Sequence, residues 1–92
     1  MAYEVIFSDE AKLDIKETRD FYAVVSSNLL LKFDTELIET VERIELNPEH
    51  FQQHYHNIKI VHTKKFPFGI HYLVEDNTVY IQRFLHQKRF YK

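Results

Sequence analysis

Residues 66–85 read FPFGIHYLVEDNTVYIQRFL, and the architecture turns on how this run alternates. Its even positions Phe66, Phe68, Ile70, Tyr72 and Val74 are all large and apolar, a period of two that predicts a strand with one face toward a core. The odd positions carry Pro67, Gly69, His71 and Leu73. Glu75-Asp76-Asn77-Thr78 is a hairpin signal, because Asp and Asn tolerate left-handed backbone angles, and VYIQRFL at 79–85 is the return strand.

Working upstream, IKIVH at 58–62 reads as a short strand joined to the hairpin by a Thr63-Lys64-Lys65 turn, and PEHFQQHYHN before it as a polar loop. The period then changes to that of a helix. Leu30, Phe33, Leu37, Val41 and Ile44 form one stripe of a helix over 29–46, with Asp34, Glu39, Glu42 and Arg43 off it. Asn47-Pro48 ends that helix, since a residue before proline is pushed out of the α region. Ser26-Ser27-Asn28 separates it from a first helix, DEAKLDIKETRDFYAVV, whose stripe is Ala11, Ile15, Thr18, Tyr22 and Val25. Ser8 is placed to cap that helix, and Asp9 and Glu10 favour its first turn through the helix dipole. YEVIF at 3–7 supplies an initial strand. The expectation is an α+β fold of order β-α-α-β-β-β, a helical hairpin packed on one face of a mainly antiparallel four-stranded sheet. The other face, with Lys59, His71 and part of strand 79–85, is expected to stay uncovered.

At 92 residues the chain is expected to be one domain over 1–92. With 45% hydrophobic and 15% aromatic residues, one Gly and two Pro, it is globular rather than disordered. The absence of cysteine excludes disulfides and thiolate zinc sites. No basic leader precedes an apolar stretch and no segment approaches the roughly 20 apolar residues of a membrane span, so a cytoplasmic location is expected. The net charge of −2 divides unevenly: residues 1–49 hold 12 of 14 acids and 5 of 12 Lys/Arg, net −7, and residues 50–92 hold 2 acids and 7 Lys/Arg, net +5. The second half, which also holds all six histidines, therefore suits an anionic partner, or else neutralises the acidic helices within the molecule.

The opening YEVIFSDEAKLDIKETRDFY, the Asn-Pro at 47–48, FPFGIHYLVEDNTVYI and LHQKR at 85–89 together resemble the RelE/ParE superfamily of bacterial toxins from toxin–antitoxin modules, across nearly the whole chain. The Leu-His-x-x-Arg ending is more similar to the ParE branch. The resemblance implies a cytoplasmic growth inhibitor held inactive by a cognate antitoxin. In the RelE branch the target is mRNA in the ribosomal A site, cut without metal; in the ParE branch it is DNA gyrase, bound and poisoned. The RelE branch usually places an arginine where this chain has Gly69. Metal-free RNA cleavage needs a base, an acid and a cation on the phosphorane, and glycine supplies none.

The expected function is therefore that of a type II toxin acting by binding a gyrase-class target. The alternatives are a ribosome-dependent mRNA endonuclease and a non-toxic remnant that only binds an antitoxin. For a nuclease, His71 and His86 would transfer protons and Arg89 would hold the phosphate. For a binding protein, Lys59, Lys64, Lys65, Arg83, Lys88, Arg89 and Tyr91 would contact target or antitoxin. Each has a plainer reading: His86 bonding a backbone carbonyl, Arg89 paired with Asp14 or Glu17, the lysine pair a solvated turn, Tyr91 closing the core. His50, His54 and His56 have a spacing that could bind zinc but are read as an ordinary polar loop, and no metal or cofactor is expected. The partner expected for the uncovered sheet face is an acidic amphipathic antitoxin segment that folds on binding, in a heterotetramer or beside a toxin homodimer.

Overall fold

A computed structural model describes residues 3–90, without the side chains of His54, Arg89 and Phe90. The elements are β1 (Glu4–Phe7), α1 (Asp9–Val25), α2 (Ser27–Leu46), β2 (Gln53–Tyr55), β3 (Ile58–His62), β4 (Phe68–Glu75), β5 (Thr78–His86) and α3 (Gln87–Phe90). The sheet order is β1-β5-β4-β3-β2, with β1 parallel to β5 and every other pair antiparallel. The expected order of helices and main strands holds, and the sheet is mixed and mostly antiparallel.

Two short elements were not foreseen. Three residues of the supposed polar loop form β2, which folds back on β3 through His56 and Asn57 at φ 44° and 65°. Two consecutive left-handed residues suit a two-residue hairpin turn. The end of β5 passes directly into the short α3.

The helix ends follow from single side chains. Ser8 Oγ accepts from Ala11 N at 3.0 Å and donates to Gln82 O at 2.6 Å, so the residue that starts α1 also binds it to β5. Ser26, alone between the helices, serves both: its N–H donates to Tyr22 O and its Oγ accepts from Leu29 N at 3.1 Å. Arg19 forks onto Asp34 at 2.7 and 2.8 Å and ties α1 to α2. Val25, placed on the buried stripe by its spacing, is exposed, because α1 stops there and leaves the sheet.

Between helices and sheet lies an aromatic core. Phe68 stacks on Phe84 at 4.9 Å between centroids, and Phe33 from α2 meets both edge-on, with Tyr22 of α1 against Phe33 and Phe68. A bulge makes this possible. Pairing runs Tyr72↔Ile81 and then His71↔Arg83, leaving Gln82 out of register. Strict alternation from Val79 and Ile81 would have aimed Arg83 at the core; the extra residue reverses the phase, so Phe84 enters the core and Arg83 faces away.

Candidate functional site

The sheet face opposite the helices was expected to be open, with Lys59 beside His71. The structure corrects both points. Residues 68–72 are all buried, the signature of a strand covered on both sides. His71 is 1% exposed, and its Nδ1 lies 2.9 Å from the hydroxyl of Tyr55, which β2 brings over this face. Directly paired residues share a face, so His71 belongs with Ile60 and Arg83, whereas Lys59, opposite Tyr72, lies on the helix side. There Lys59 Nζ donates to Phe51 O at 2.8 Å and braces the loop before β2.

The same register separates the two histidines grouped for proton transfer. His86 is opposite Phe68 on the helix side, and its ring meets Phe68 edge-on at 5.4 Å. Its Nδ1 accepts from Lys88 N at 3.1 Å, capping the turn into α3 rather than bonding a carbonyl. His86 borders a cleft of about 350 Å³ with Glu17, Phe21 and Tyr22. His71 and His86 thus occupy opposite faces and do not converge on one substrate.

Arg83 does lie across from His71, but Asp14 of α1 engages it. The carboxylate accepts from Arg83 Nε and Nη2 at 2.8 and 3.0 Å and from Phe84 N at 3.0 Å, which satisfies the part of the β5 edge that β1 does not reach. This hydrogen bond, followed by nearby negative charge, raises the guanidinium pKa further. Asp14 is one of the two acids the sequence offered as partners for Arg89; among the described residues it pairs with Arg83. Where the nuclease branch has arginine, a Cβ on Gly69 would stand 3.2 Å from His62 Cδ2 and Ile60 Cγ2. Those two side chains occupy the space above the glycine.

Lys64 and Lys65 are exposed on the turn between β3 and β4, apart from the His71 face. Glu36 of α2, buried and absent from the sequence reading, accepts from Lys65 N at 2.5 Å and Phe66 N at 3.0 Å. Nothing in the sequence singled it out, since Asp34, Glu42 and Glu45 lie equally one residue off the predicted α2 stripe and are not buried. Tyr72 was likewise read only as core. It is fully buried, its hydroxyl donates to Pro48 O at 2.6 Å, and burial, with the charge of Glu49 second, pushes the phenol well above its ordinary pKa. Lys88 is exposed at the start of α3; Tyr91 and the Arg89 side chain lie outside the described residues. Among the described residues no group of three or more His, Asp or Glu is placed to hold a metal, and no helix is long and apolar enough to cross a membrane.

The helical hairpin on a mixed sheet, with Leu85-His86 closing β5 and Arg89 following in α3, defines a small domain of the RelE/ParE kind. The profile of the ParE toxin of type II toxin–antitoxin systems, parDE, matches residues 5–91, and the chain belongs to that family. In structure it is similar to a chain of the chromosomal ParDE toxin–antitoxin system from P. aeruginosa, with a TM-score of 0.78 and 17% identity over 91% of this chain and 95% of that one. No curated protein matches the sequence.

Proposed function

We propose that this protein is the toxin of a type II pair, that it arrests growth in the cytoplasm by binding a macromolecular target of the gyrase class, and that a cognate antitoxin neutralises it. Family membership supports the toxin reading. The observation that favours binding over cutting is the placement of His71, buried, bonded to Tyr55, and on the sheet face opposite His86. A general base must come within hydrogen-bond reach of the proton it removes, and a side chain 1% exposed does not reach a ribose hydroxyl without the strand opening. Binding energy is instead expected in a few arginine and aromatic anchors, with Arg89, Lys88 and Tyr91 at the chain end the proposed contacts.

The test compares Arg89→Ala with His71→Gln in variants of matched melting temperature. Arg89→Ala is expected to reduce growth arrest and gyrase inhibition in a supercoiling assay, while His71→Gln leaves both within a few-fold of wild type. Primer extension on cellular mRNA is the counter-check. Site-specific cuts made by the wild type and missing with His71→Gln would establish the nuclease alternative.

A further inference from the structure

The passage from β5 into α3 depends on one imidazole. His86 is the last residue of β5, and its Nδ1 accepts from Lys88 N, two positions on, at 3.1 Å. A backbone bond from Gln87 N to Pro67 O at 2.9 Å holds the same corner. α3 spans only Gln87–Phe90, too short to be held by helix propagation, so an acceptor for its first amides contributes much of its order. A nitrogen that accepts carries no proton. In the bonded state the imidazole is therefore neutral, with its hydrogen on Nε2.

We propose that His86 is a proton-gated cap: when neutral it holds α3 in place, and when protonated it releases the Lys88 amide and turns to the carboxylate of Glu17 across the cleft of about 350 Å³ that both residues border. α3 carries Lys88 and Arg89, so these cations keep one orientation only while the imidazole is neutral. That consequence for the target rests on the reading above; the cap itself does not.

The groups that face His86 give the charged ring a second resting place. From α1 come Tyr22 and Glu17, and Glu17 is exposed and makes no ion pair among the described residues. The preceding acid of that helix, Asp14, is already engaged by Arg83 and Phe84 N. From β4 comes Phe68, whose uncharged ring meets the imidazole edge-on at 5.4 Å. From α3 comes the exposed Lys88, whose like charge further disfavours an imidazolium that stays at the cap. Protonation turns Nδ1 from acceptor into donor, so it faces the Lys88 N–H with another N–H and the bond is lost outright. A bond made only by the neutral form contributes at high pH and is lost as pH falls, and imidazole is the side chain whose charge changes between pH 5 and 8.

The experiment is an NMR titration of the full chain from about pH 8 to about pH 5.5, reading the His86 ring nitrogens and the exchange protection of the Lys88 amide relative to the Ile70 amide. Wild type is expected to show the Nε2–H tautomer at the upper end, and Lys88 protection is expected to fall about three- to tenfold as the ring becomes charged. His86→Asn places an acceptor oxygen near the position of Nδ1 and does not titrate, so it is expected to keep its protection throughout. His86→Gln carries its oxygen beyond that position and is expected to lack protection at every pH. Glu17→Gln removes the alternative partner and is expected to move the release to lower pH. Constant protection in wild type, the Nδ1–H tautomer at the upper end, or the same pH response in His86→Asn would refute the cap. An unchanged midpoint in Glu17→Gln would refute Glu17 as the second resting place. In the supercoiling assay, inhibition by wild type is expected to weaken severalfold relative to His86→Asn between about pH 8 and about pH 6.5. A constant ratio would refute the consequence for the target, whereas no inhibition by either protein would refute the target reading and leave the cap standing.

Discussion

Tyr72 illustrates how much one polar atom decides in a small core. Its ring is fully buried and its hydroxyl donates to Pro48 O, so the bond holds the end of α2 against β4. Tyr72→Phe keeps the volume and leaves the carbonyl unsatisfied, which is expected to cost about 1–3 kcal/mol in urea unfolding with an unchanged m-value. A variant as stable as wild type would mean that Pro48 O finds another donor. Gly69 acts through what it lacks, since His62 and Ile60 lie over its backbone where an arginine would have to pass. Its place in the sequence marked a departure from the nuclease pattern, but only the neighbours show that the departure leaves no room to spare.

Among elements, the α1–α2 hairpin was legible almost completely because its signals are local: Ser8, the two apolar stripes and Asn47-Pro48 each act within a few residues. The start of α2 was expected at residue 29 and lies at Ser27, because Ser26, Ser27 and Asn28 are equally good caps by type and the fold uses Ser26. The Arg19–Asp34 bridge across the hairpin makes folding sensitive to acid. Its hydrogen bond holds the Asp34 carboxylate below its ordinary pKa. A depressed carboxylate contributes stability above its unfolded pKa and loses it as pH falls through the folded value. The melting temperature of wild type is therefore expected to fall more steeply below about pH 4 than that of Asp34→Asn, the two curves converging at the acid end. Parallel curves would show that the bridge does not persist in solution.

In the whole molecule, the acidic first half and basic second half meet at Asp14, whose carboxylate binds the Arg83 side chain and the Phe84 N–H from 69 and 70 residues away in sequence. The plainer reading of the charge division, that helices and sheet neutralise each other, is realised at this point, while Lys32, Lys64 and Lys65 make no ion pair among the described residues. Asp14→Ala leaves a strand N–H without its acceptor and frees Arg83. A loss of about 1–3 kcal/mol is expected, with faster hydrogen exchange at the Phe84 amide than at the Ile70 amide. Equal protection of both amides would show that β5 does not depend on the acid at its edge.

Element order, helix faces and the hairpin at Glu75-Asp76-Asn77-Thr78 were fixed by the chain's local pattern, because amphipathic period, caps and turn residues act over a few consecutive positions. Which side chains stand together was not. One residue left out of register at Gln82 moves Phe84 into the core and Arg83 out of it. A three-residue strand with two left-handed turn residues brings Tyr55 over His71 and closes a face that alternation left open. A glutamate one position off its stripe holds the lysine turn from across the sequence. Each of these depends on strand register or on partners many residues apart, and a period read along one strand carries no information about either.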